Sequence, residues 1–156
     1  MGLTTDRNSP CLNEIEPSGQ QKCYLVLSEE ERKKGFVRPV RRSYKHVGIP
    51  GPNYPLRDLT QHELEVYGGH GYVKYEEYPK DAGHGSALGR FWAQEQIDKI
   101  GKGCGTVTKM GQALSETYAR QPSFYGGTFC VGCGTHLPVG KDGEFVWVDD
   151  GERVGT

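Results

Sequence analysis

The sequence predicts a small α+β domain, and three observations carry that prediction. At 156 residues the chain is ordinary for a single domain and long enough to bury a core. Its 23 glycines and 9 prolines break it into short elements. Helix-capping patterns alternate with strand-like runs, and near the C-terminus a closely spaced cysteine pair lies beside a hairpin signal.

The elements follow in order. Residues 1–20 carry Pro10, Pro17 and Gly19 with little periodicity and read as an irregular N-terminal arm. "QKCYLVLSEEERKKGF" reads as a strand ending at Leu27 and then a short helix. Ser28 with Glu31 caps that helix, Lys33 and Lys34 fill its last turn, and Gly35 stops it. From 50 to 103 the chain changes character and reads as an insertion with elements of its own. After the Pro-rich "PGPNYPLRDL", Thr60 with Glu63 caps a second helix that Gly68 ends, and "GYVKYEEYP" alternates like a strand. In "RFWAQEQIDKIG" the helical spacing of Ala93, Ile97 and Ile100 predicts a third helix. Residues 104–150 hold a fourth, amphipathic helix with Met110, Ala113, Leu114, Thr117 and Tyr118 on one face, closed by Pro122. A hairpin is then predicted with Asp142-Gly143 turning between "HLPV" and "EFVWV", where Phe145 and Trp147 share a face.

Net charge is −1, which argues against a wholly basic nucleic-acid binder and against an acidic mimic of nucleic acid. No apolar run approaches the roughly 18 residues of a membrane span, and "MGLTTDRNSP" lacks the apolar core of a signal peptide. Gly2 fails as a myristoylation site because Asp6 stands where Ser or Thr is needed. A soluble, cytoplasmic chain is the expectation, and in that compartment five cysteines favour thiols or metal over disulfides. Cys11 and Cys23 are accordingly expected as buried thiols, with a local disulfide as the alternative.

In "FCVGCGTHLP", Cys130 and Cys133 can place two thiolates on one tetrahedral ion from a tight turn that Gly132 and Gly134 permit. A redox pair would sit at a helix N-terminus, and Gly134, Pro138 and Gly140 make a helix there unfavourable. The pattern therefore predicts a zinc-ribbon-like knuckle holding one structural Zn2+. A closed site needs four ligands; Cys104 in "GKGCGTV" is the third. For the fourth, His46 in "YKHVG" is favoured, because "HVG" runs on into "GCG" if residues 50–103 loop out. His136 and His84 stay open as alternatives, His136 having to fold back over its own turn.

At these residues the chain resembles a group of small bacteriophage and prophage proteins. The likeness lies in "TKMGQALSETYARQPSFYGGTFCVGCGTHLPVGKDGEFVW" and in "LSEEERKKGFVRPVR", together about a third of the chain. The resemblance implies a phage or prophage origin and a metal site at Cys130 and Cys133, and it lends no catalytic residues.

Enzyme motifs are missing. "HELEV" has Val66 where a zincin needs its second histidine, and no histidine has a glutamate two residues on, as a zinc deaminase requires. A small metal-dependent hydrolase or nuclease with His46, His70 or His84 as general base is the alternative to a binding module. The binding reading rests on "ERKKGFVRPVRRSYKH", where Arg32, Lys33, Lys34, Arg38, Arg41, Arg42 and Lys45 surround Phe36 and Tyr44. Such a segment suits a host protein's acidic face or nucleic acid. Tyr72, Tyr75, Tyr78 and Trp92 offer a second contact surface.

Overall fold

A computed structural model describes residues 2–79 and 89–156. The fold is α+β, with four short α-helices and ten short strands in four small sheets among the described residues. In chain order the strands are β1 (Gly2–Thr4), β2 (Cys23–Leu25), β3 (Ser43–His46), β4 (Leu56–Asp58), β5 (Tyr72–Glu76), β6 (Arg90–Ala93), β7 (Val107–Lys109), β8 (Gly127–Cys130), β9 (Thr135–Pro138) and β10 (Phe145–Trp147). The helices are α1 (Glu29–Arg32), α2 (Gln61–Tyr67), α3 (Gln94–Lys99) and α4 (Gln112–Arg120). The chain divides into two compact units, Met1–Gly48 with Gly103–Thr156, and Ile49–Lys102.

The first unit is built on the antiparallel sheet β10-β3-β7. Alternation along β3 sends Tyr44 and His46 inward and Ser43 and Lys45 outward. Inward, Tyr44 lies opposite Trp147 and Thr108, and His46 opposite Phe145. Tyr44 meets Phe145 and Trp147 edge to face, and Tyr118 from α4 packs against Trp147 the same way. With Met110, Cys130 and Val154 these residues form the buried core. Burying an aromatic ring of this size contributes on the order of 2–3 kcal/mol.

Four sequence expectations are corrected here. The turn at Asp142-Gly143 forms, but "HLPV" and "EFVWV" do not pair as its two strands: β9 pairs with β8 across the cysteine loop, and β10 pairs with β3. "RFWA" is strand β6, and the helix begins only at Gln94. The arm is not irregular throughout, since β1 runs parallel to β2. Cys11 and Cys23 are a disulfide rather than two buried thiols, which ties that arm to β2.

The second unit contains the antiparallel sheet β4-β5-β6. Its core is organised by a buried carboxylate. Glu76, 2% exposed, accepts from Trp92 Nε1 at 3.0 Å and from the backbone N–H groups of Asn53 and Tyr54 at 2.7 and 3.0 Å. The mixed polarity of "YVKYEEY" follows from this: one of its polar residues faces inward as an acceptor.

Candidate metal centre

His46, Cys104, Cys130 and Cys133 come together in the first unit, with one ligand atom from each lying within 4.8 Å of all the others. Cys104 Sγ is 3.4 Å from Cys130 Sγ, and Cys133 Sγ is 3.5 Å from His46 Nδ1. The cluster can hold a metal ion.

Each residue is delivered by simple local geometry. Cys130 ends β8, the chain turns through Val131 to Gly134, and Thr135 opens β9 opposite Cys130. Gly134 closes the turn with positive φ and donates its N–H to Cys130 O at 2.8 Å. His46 ends β3 on its inner face. The loop before β7 is bonded to it, with Gly105 N donating to His46 O at 2.9 Å and His46 N to Thr106 O at 3.2 Å. Two glycines are steric requirements of this approach. A Cβ at Gly103 would overlap the His46 carbonyl, and one at Gly132 would overlap Cys104 Sγ and Thr106 Oγ1.

The imidazole is oriented from behind. His46 Nε2 lies 2.9 Å from Glu144 Oε1, and both residues are about 5% exposed. Cys104 N donates to the Nδ1 lone pair at 3.1 Å, so the Nε2 proton goes to the carboxylate, and Nδ1 is also the ring atom beside Cys133 Sγ. Burial opposes the His46 charge, but Glu144 and Cys104 outweigh it and raise its pKa above the ordinary value of 6.5.

The thiols differ. Hydrogen bonds from the Thr106 side chain and backbone push Cys104 down to about 6. Cys133 is pushed up to about 12, first by desolvation and then by the Cys104 and Cys130 sulfurs. Three sulfurs this close cannot all ionise unless a cation compensates them.

The other predicted residues fall elsewhere. His136 is not in the cluster: Nε2 lies 2.9 Å from Tyr24 OH, and its ring packs on Phe129. His84 lies outside the described residues. His70 sits exposed in a short 3-10 turn of the second unit. Both His46 ring nitrogens are engaged, Nε2 with Glu144 and Nδ1 with Cys104 N and Cys133 Sγ.

The basic segment is corrected in part. Arg41 is 4% exposed, lies over the Trp147 ring and pairs with Asp150 and Glu152, each at 2.8 Å, so it is a core residue and not a contact surface. Arg32 is bonded to Glu116 and Leu27 O, while Lys33 and Lys34, just past the end of α1, pair with Glu29 and Glu31 of that helix. Arg38, Arg42 and Lys45 are exposed and have no Asp or Glu partner among the described residues, Arg38 bonding Thr156 O and Arg42 bonding Met110 O. Glu144 was missed by sequence reasoning, because nothing local marks a glutamate after Asp142-Gly143 as the partner of a histidine nearly one hundred residues earlier. No family model, curated protein or solved structure matches this chain.

Proposed function

We propose that the cluster holds one structural zinc ion. The zinc-stapled unit then serves a bacteriophage or prophage as an accessory protein that binds a host macromolecule. The observation that carries the metal assignment is the complete set of three sulfurs and one imidazole nitrogen within 4.8 Å, backed by Glu144 on the far ring nitrogen. A tetrahedron with zinc–sulfur bonds of about 2.3 Å and a zinc–nitrogen bond of about 2.0–2.1 Å has edges of roughly 3.5–3.8 Å. Separations between 3.4 and 4.8 Å bracket those edges. Four protein ligands leave no position for water or substrate, which favours a structural over a catalytic role. The carboxylate behind the histidine is the usual outer partner of such a ligand.

The binding reading is supported by the outer face of β10-β3-β7. One cross-strand row reads Val146, Lys45, Val107, and the next runs from Ser43 to Lys109 with Val148 donating its N–H to Ser43 O. Val107 and Val148 are about half exposed, and both lysines face solvent. Aliphatic side chains between cations suit an acidic protein surface better than nucleic acid, which rewards aromatic stacking. The phage origin rests on the resemblance of residues 108–147.

The test is affinity capture from nuclease-treated host extract with the zinc-loaded protein and with a variant carrying Lys45→Glu and Lys109→Glu. A partner held by the parent protein and lost by the variant, with zinc retained by both, is the expected result. A partner captured only from untreated extract would assign nucleic acid instead. A biological effect that survives both charge reversals but disappears on His70→Ala would overturn binding in favour of hydrolysis.

A further inference from the structure

A cavity of about 80 Å3 opens into the first unit beside the exposed Lys109 and Gly111. Its walls are mostly rings and aliphatic groups, among them Tyr24, Tyr44, Leu114, Tyr118, Tyr125 and Phe129, and none of the four cluster residues lines it. The hydroxyls of its four tyrosines can be accounted for one by one. Tyr44 donates to Phe129 O and accepts from Thr128 Oγ1. Tyr125 donates to Leu25 O at 2.6 Å. Tyr24 accepts from Gln21 N and is bonded to His136 Nε2. Tyr118 is 4% exposed and its hydroxyl has no partner. Thr128 Oγ1 lies nearby and keeps acceptor capacity, but no bond of normal geometry joins it to Tyr118.

Buried hydroxyls in folded proteins are nearly always bonded, so an unpartnered one beside a cavity marks a place for an acceptor. Burial holds the Tyr118 phenol well above its ordinary value of 10, so it meets a ligand as a neutral donor. The apolar walls penalise a charged ligand, which restricts the occupant to a neutral one. Size restricts it further. An apolar cavity of about 150 Å3 takes a benzene ring, so this smaller one, open on one side, takes a smaller ring.

We propose that this cavity is a binding site for a small neutral ring compound bearing a carbonyl, a cyclic ketone or lactam, whose oxygen accepts from Tyr118. The ring packs among the tyrosines while the carbonyl satisfies the one of their four hydroxyls left without a partner. The site is independent of the metal reading, because no ligand residue lines it.

Cyclopentanone and cyclopentane, titrated into the metal-loaded protein with detection by NMR, provide the test. Saturable shifts confined to residues around the cavity are expected for both, with cyclopentanone bound more tightly. Tyr118→Phe should weaken cyclopentanone about tenfold and leave cyclopentane unchanged. Without ligand that variant should not melt lower than the parent, since the lost hydroxyl bonds nothing. Leu114→Phe fills the space and should abolish both shifts while metal content, a readout of an intact fold, is retained. The proposal fails if neither compound gives saturable shifts, if Tyr118→Phe binds cyclopentanone as tightly as the parent, or if it melts lower.

Discussion

At the scale of single residues, the centre depends on groups that never touch a metal. Glu144 holds the His46 ring so that Nδ1 faces the three sulfurs. Glu144→Gln keeps the shape but weakens that grip, and should lower metal affinity about 10–100-fold in a chelator competition. Gly132→Ala should reduce metal content at equal chelator, because its methyl needs the space of Cys104 Sγ. Arg41 separates what sequence shows from what it hides. Among seven cations in one segment, nothing in the sequence distinguishes the one that stacks on Trp147 from those that face water. Arg41→Glu places a carboxylate among Asp150 and Glu152 and should cost about 3–5 kcal/mol by denaturant unfolding. Arg42→Glu, an exposed change, should stay within about 0.5 kcal/mol. Charge reversal at Arg41 therefore tests stability and not partner binding.

At the scale of elements, local signals were legible and non-local pairing was not. Ser28 and Thr60 both cap their helices as the sequence predicts, because a cap is made by residues three apart. The Asp142-Gly143 turn is equally local, but the strand partners around it are decided by burial of Phe145 and Trp147 against β3, roughly one hundred residues away. The three cluster cysteines were legible for the same reason as the caps, since the cysteine loop is a local motif and glycines flank Cys104, whereas the choice of His46 over His136 and His84 had no local signal. Glu63 offers an acid-range test of the second helix. Arg57 and the Thr60 backbone hold its carboxyl at about 2, below the ordinary value near 4.5. A depressed carboxyl stabilises the fold above its unfolded value and loses that contribution as pH falls through the folded one. Unfolding monitored between about pH 4.5 and pH 2 should therefore show a loss of stability that Glu63→Gln lacks. The Cys11–Cys23 link closes a loop of 12 residues, worth about 3 kcal/mol in the chain-entropy account. Reduction should open hydrogen exchange in β1 and β2 and leave metal content unchanged, since neither cysteine belongs to the cluster.

At the scale of the whole molecule, the two compact units have cores of different kinds. The first is aromatic and adjoins the cysteine–histidine cluster, and the second is centred on the carboxylate of Glu76. A chelator should therefore unfold the first unit while Trp92, bonded to Glu76 in the second, keeps its native fluorescence. The central claim is that four side chains close on one zinc ion as a structural staple. X-ray absorption at the zinc edge of the purified protein tests it most directly. The account predicts one zinc per chain with three sulfur neighbours at about 2.3 Å and one nitrogen at about 2.0–2.1 Å. Absence of zinc after chelator-free purification, or a shell with an oxygen in place of one of those four ligands, would contradict it.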